Sequence, residues 1–389
     1  MAPRYKPGSL LLETPDVDGR LGASPLPISI VDSGGNAAGN GGDGHFAGSA
    51  LNTAYAGFTP INMASGYHGG ASAEQTNTAY FGQATIQAAG VGGGGGDDNI
   101  ALGGGLTSRG VGSSDLMESG HNSAGNGGDG HFAGALVNAP VAVYAPLNLS
   151  VAGPGSSAYA EQSNTAQFHQ GSIQIAGVGG DGGSGNAASG GSASHSGVGA
   201  AGVSTDSDVI ATGHNDAGNG GSGHFSGSLV HASFALYHPI NIAVAGFGSS
   251  ATAEQVNEVT FEQDSVQIAG VGGQGGSGNA ASGGGVHLAS LYEGLIGSDV
   301  ISTGGNNAGN GGDGHFFGSL VDVDIAIYAP INVTAAGFNS NAEAHQVNEV
   351  HFEQGAMQIA GVGGNGGSGN VASGGDFVLH LLADHHVFE

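Results

Sequence analysis

The string Gly39-Asn40-Gly41-Gly42-Asp43-Gly44-His45-Phe46 returns at 125–132, 218–225 and 309–316, with Ser222 replacing the aspartate in the third copy. Its histidine falls at His45, His131, His224 and His315, spaced by 86, 93 and 91 residues. Self-similarity at so long a period marks a repeat architecture and outranks local propensity. A second string, Ala176 to Asn186 (AGVGGDGGSGN), recurs at Ala269 to Asn279 and Ala360 to Asn370 and, degenerate, at Ala89 to Asn99. Between the two strings stands Pro-[Ile/Leu]-Asn, at Pro60, Pro146, Pro239 and Pro330. The chain therefore divides into an arm (1–30), four copies (31–117, 118–210, 211–301 and 302–375) and a tail (376–389).

Glycine is concentrated in the two strings. Windows 39–44 and 90–98, with their equivalents, hold 40 of the 82 glycines. In Gly179-Gly180-Asp181-Gly182-Gly183-Ser184-Gly185 the pattern is G-G-x. A period of three is that of polyproline II, which forms no internal hydrogen bonds and must bond to neighbouring chains when buried. Identical strings at matching places argue for ordered packing and against a flexible linker, which has no need to keep Asn, His and Phe in place.

The middle of each copy reads as two extended strands. Val230, Ala232, Phe234 and Leu236 alternate with His231, Ser233 and Ala235, and Pro239 resets the pattern at Ile240, Ile242 and Val244. After a turn at 246–250, the second strand shows Gln255, Asn257, Val259, Phe261, Gln263, Ser265 and Gln267 at every second position. The other copies keep Gln75, Asn77 and Phe81, Gln162, Asn164 and Phe168, and Gln346, Asn348 and Phe352, while the reverse face drifts. A face fixed in all copies meets its own equivalent, and stacked amides satisfy one another in ladders. Gln255, Asn257, Phe261, Gln263 and Gln267 are accordingly the expected assembly residues. The expected fold is an all-β repeat protein of four stacked units, each a long β-hairpin flanked by Gly-rich polyproline-II-like segments in a solenoid-like array.

Charge narrows the function. Four Lys and Arg face 31 Asp and Glu, a net charge of −27. Such a chain lacks the electrostatic term that nucleic-acid and anionic-surface binding require. Arg4, Lys6 and Arg20 lie in the arm, and Arg109 stands alone beyond it. The arm's cations are expected to dock on the acidic body of a neighbouring chain. Leu10, Leu11 and Leu12 are too short an apolar run for a cleaved signal peptide, and no stretch approaches a membrane span. No membrane insertion is expected. Zero cysteines exclude disulfides and thiolate metal sites. The apolar tail Phe377-Val378-Leu379-His380-Leu381-Leu382 reads either as a cap on the last copy or as a C-terminal export signal.

The GGDGH element resembles the calcium-binding nonapeptides of RTX-type secreted proteins, although Phe46 stands where that pattern has an aspartate. The G-G-x windows are similar to the polyglycine-II bundles of some phage adhesin tips and small antifreeze proteins. These resemblances imply export and, for the first, calcium.

For calcium the candidate ligands are Asn40, Asp43, Asn126, Asp129, Asn310 and Asp313, which offer carboxylate and amide oxygens. The row His45, His131, His224 and His315 is the candidate for a transition metal. No P-loop, nucleophile elbow or HExxH is present, and four near-identical units leave no place for a unique catalytic centre, so no enzyme is expected. The expected function is that of an extracellular or cell-surface structural protein, assembling with copies of itself into a filament, sheath or biofilm matrix. The alternative is a calcium-dependent adhesin with a surface or glycan ligand, with an ice-binding face a further option.

Overall fold

The computed structural model describes residues 29–32, 34–108, 115–197, 209–284, 286–290 and 300–381. Among them there is no helix, and every strand pair is parallel. Seven sheets form, each joining a strand of one copy to its counterparts in the others. Register follows the sequence repeat: Phe132 pairs with Phe46 and Phe225, and Phe168 with Phe81 and Phe261.

The bulk of each copy is two layers. In the second copy the first layer is Gly130–Asn138, Val141–Tyr144 and Leu147–Ala152. Pro146 has no N–H to give, yet the ladder continues past it through Ala145 N to Phe58 O (3.0 Å) and Leu147 N to Pro60 O (2.8 Å). The turn at 153–156 is closed by the Ser156 hydroxyl on the Gly153 carbonyl (2.7 Å), and the chain returns as the 22-residue strand Ser157–Val178. The layers pack face to face through Ala142, Tyr144, Ala166 and Phe168, with Ala152, Ala158 and Ala160 where they come closest.

The expected hairpin is corrected here. The two long strands of a copy do not bond to each other; each bonds edge to edge with its equivalents in neighbouring copies. The reason is the amide pattern, since an in-register parallel pair sets the inward-facing amides at Gln162, Asn164, Gln170 and Gln174 beside their own kind, which an antiparallel hairpin within one copy would not do.

The variable connectors also carry short strands, Ala193–Gly197 and Val209–Ala211, paired with their counterparts in the other copies. Phe377–Leu381 of the tail pairs in register with Val286–Ser290. Arg4, Lys6, Arg20 and Arg109, like residues 382–389, lie outside the described residues.

The Gly-rich windows form a third region, bonded in two directions. Gly92, Gly95 and Asp98 donate to Val178, Asp181 and Ser184 of the next copy, three residues apart each time. Gly93 and Gly96 donate instead to Gly42 and Gly39 of the short window, which runs the opposite way. The link continues as Gly128 to Gly93 and Gly180 to Gly128. A Cβ on Gly180 would collide with the carbonyl of Gly93, so glycine is what lets the backbones meet.

Candidate functional site

The molecule's most regular chemistry lies in columns of like residues running across the four copies. Two aromatic columns fill the interior: Phe81, Phe168, Phe261 and Phe352, with ring centroids 4.8–4.9 Å apart, and Phe46, Phe132, Phe225 and Phe316, at 5.1–5.2 Å. Tyr144 and Tyr237 form part of a third, and burial pushes both phenols above their ordinary range. Each hydroxyl still has a partner, Asn164 Oδ1 at 3.1 Å for Tyr144 and Asn257 Oδ1 at 2.8 Å for Tyr237.

Beside them run amide ladders. Gln162 Nε2 donates to Gln75 Oε1 (2.8 Å), Gln255 to Gln162 (2.8 Å) and Gln346 to Gln255 (2.6 Å). The columns from Gln83 to Gln354 and from Gln87 to Gln358 repeat this, always from the later copy to the earlier one. The asparagine ladders run the other way. Asn77 donates to Asn164 (2.8 Å), Asn164 to Asn257 (3.0 Å) and Asn257 to Asn348 (2.8 Å), and the column from Asn62 to Asn332 follows suit. In the glutamine columns and in the column from Asn62, backbone carbonyls settle which end of an amide is nitrogen. Gln174 Nε2 also donates to Leu136 and Val230 oxygens, and Asn148 Nδ2 to those of Ala160 and Glu254. Fully satisfied, such buried amides stabilise; left half-made, each costs its desolvation.

The ladders therefore have a direction. At the first copy Gln75 has no earlier glutamine to receive its N–H, and at the fourth copy the Oε1 atoms of Gln346, Gln354 and Gln358 have no later donor among the described residues. The asparagine columns end with the opposite polarity.

Of the other expected sites, the Asn40 and Asp43 oxygens accept from the backbone N–H of Asn126 and Asp129, at 2.9 Å each, and Asn126 and Asp129 do the same for Asn219 and Ser222. Asn310 takes its place in that column through its N–H on Asn219 Oδ1 (2.9 Å), and Asp313 lies one turn beyond, beside His315. The histidines stack face to face, centroids 4.6–4.7 Å apart and planes within 6°. They line an open groove of about 810 Å3 with Ala133, Ser226 and Phe317. Burial, then the charge of its two neighbours, lowers the pKa of His224. Lone pairs in parallel ring planes point side by side, so the row does not converge on one ion.

Sequence reasoning missed one cluster. In the column Asn52, Asn138, His231 and Asp322 the amides give way to an imidazole and a carboxylate. Asn138 Nδ2 meets His231 Nδ1 at 3.1 Å, which puts the ring proton on Nε2, 3.3 Å from Asp324 Oδ1. Ser233 donates to the same carboxylate. Burial and the Asp324 charge hold the Asp322 carboxyl above its ordinary range. Among the described residues His231, Asp322 and Asp324 are the one group of three His, Asp or Glu side chains close enough to share an ion. With Nδ1 facing the Asn138 N–H, however, the imidazole Nε2 carries a proton in place of a lone pair. The signal was the break in the repeat at His231 and Asp322.

No family model, no curated protein and no solved structure matches the chain.

Proposed function

We propose that the protein is a non-enzymatic structural protein, a four-rung solenoid that adds to copies of itself end to end and forms a polar filament. The observation that carries this reading is the opposed direction of the glutamine and asparagine ladders. Setting the fourth copy of one chain against the first copy of another meets every open glutamine oxygen with an N–H. Two like ends cannot meet in this way, because turning one chain over reverses its strands or its faces and no column then meets its own equivalent. Such a head-to-tail contact does not close on itself and propagates as an open polymer. The apolar side chains left at the ends add to this: Phe261 is fully buried, whereas Phe352, its equivalent in the fourth copy, is 50 % exposed. The acidic, cysteine-free composition suits work outside the cell, as a filament, sheath or matrix component.

The test uses the column Tyr80, Gln167, Thr260 and His351. In head-to-tail contact His351 of one chain lies ~4.8 Å from Tyr80 of the next, within disulfide reach. Separately purified Tyr80→Cys and His351→Cys proteins, mixed and oxidised, are expected to cross-link to each other and not to themselves. Filaments by negative-stain microscopy, unchanged by a calcium chelator, are expected of the unmodified chain. Like-to-like cross-links would remove the polarity, and a chain that stays single at high concentration would remove the function.

A further inference from the structure

The two layers of the molecule present opposite chemistry to the outside. Along 51–65, 137–151, 230–244 and 321–335, every second residue faces away from the core, eight in each copy, and none is Asp, Glu, Lys or Arg. In the two inner copies Val141, Leu147, Leu149, Phe234, Ile240 and Ile242 stand there, half-buried. In the outer copies the exposure is plain: Ile61 is 59 % and Ile325 43 % exposed. The corresponding outer face of the second layer, along 72–88, 159–175, 252–268 and 343–359, carries nine acids, among them Glu161, Glu258, Glu262 and Glu353. In a chain of net charge −27, a broad face without a single carboxylate is a sharp departure.

We infer that this uncharged face is the seat of a second copy of the chain, two molecules pairing face to face through their first layers about a two-fold axis. Parallel sheets are ordinarily covered on both faces, and among the described residues only the inner face of this one is covered. Its size fits the role. Four strands ~4.8 Å apart, each with fifteen residues rising ~3.3 Å, make a patch of about 950 Å2, against the roughly 800 Å2 that each partner contributes to a stable interface. Its relief fits as well. Like side chains recur from strand to strand, so ridges of Val, Leu and Ile alternate with grooves, and two such surfaces interdigitate as packed sheets do. Charge selects the arrangement: pairing through the second layers would oppose nine acids to nine, whereas pairing through the first leaves both acidic faces in water. The contact is isologous, so it closes at two chains. It uses neither the strand edges nor the ladder ends, and it stands whether or not the chain grows end to end.

The experiment starts from a full-length chain whose ends are blocked. Gln354→Lys with Gln358→Lys keeps a donor toward Gln263 and Gln267 but offers no acceptor to a next molecule. This protein is expected to sediment at equilibrium with the mass of two chains. Adding Leu149→Lys and Ile242→Lys, on the uncharged face, should halve that mass while the far-ultraviolet circular dichroism stays that of a β protein. Adding Thr165→Lys and Thr260→Lys, on the acidic face, should leave it at two. If the lysines prevent folding, Leu149→Thr with Ile242→Thr keeps strand propensity and should weaken the pair at least tenfold. A blocked chain that sediments singly, or a pair that survives both sets of changes on the uncharged face, overturns the inference. So does a single chain that floats with phosphatidylcholine vesicles, which would assign the face to lipid.

Discussion

Two ways of filling an interior meet within each copy. Between the long layers, side chains do the filling: Phe168, Gln170 and Gln174 are buried and each meets its own kind above and below. In the Gly-rich windows backbone meets backbone at most contacts, with Asn99, Asn186, Asn279 and Asn370 among the few side chains between them, and Gly180 bonds onward to Gly128 while Gly221 bonds to it. The first region extends its bonding in one direction and leaves the other to side-chain packing; the second bonds in two directions because its glycines put no side chain between the backbones at the points where they meet. The same register rule serves both, since equivalent residues sit beside each other. What differs is the tolerance for change. A side-chain column can lose an atom and relax, whereas a backbone contact has no slack to give.

The largest effect should come from the region without slack. Gly180→Ala places a methyl group where the Gly93 carbonyl lies and is expected to destabilise the chain by about 3 kcal/mol, read from the midpoint of denaturant unfolding. A shift as small as that of an ordinary surface change would erase the contrast between the regions. Next comes the ladder. Gln170→Leu keeps the bulk but leaves Gln83 Oε1 without its donor and Gln263 Nε2 short of an acceptor, an expected loss of about 2 kcal/mol. The same change at Gln354 breaks one ladder bond instead of two and should cost about half as much in the single chain.

The smallest effect concerns the column that departs from its own pattern. Asp322→Asn returns an amide to the line of Asn52, Asn138 and His231 and should stabilise by about 1 kcal/mol near neutral pH. The sign follows from linkage. Because the carboxyl sits above its ordinary value of 3.8 in the folded chain, the folded state holds that proton more tightly than the unfolded one. Stability is therefore lost as pH rises through that interval and regained as pH falls back. Thermal melts from pH 7 to pH 4 should narrow the gap between the variant and the unmodified chain; a gap that widens on acidification would give Asp322 the opposite role.

Much of this organisation was legible in the sequence, and the reasons are particular. Four occurrences of Gly-Asn-Gly-Gly-[Asp/Ser]-Gly-His-Phe gave the repeat, and the amides fixed at Gln255, Asn257, Gln263 and Gln267 pointed to ladders because only a self-equivalent neighbour can satisfy them all. Partner and direction were not legible, since alternation says where a side chain points and not which strand lies beside it. A hairpin within each copy was the local answer. Nor did hydrophobicity say which face is inside. His231, Ser233 and Asn241 are buried while Phe234 and Ile242 look outward, because a partner in the next copy satisfies a buried amide and frees the apolar residues for the surface. The break at His231 and Asp322 was visible as text, but its meaning needed the register.

Each copy advances the structure by one strand spacing, so the described strands of the four copies make a body only about 19 Å thick while the longest of them run about 70 Å. The result has the proportions of a tile. Two of every four strands in it are boundary strands, a ratio that falls only when tiles are laid against one another. On the proposed end-to-end addition, thickness grows in whole tiles without redesigning any column.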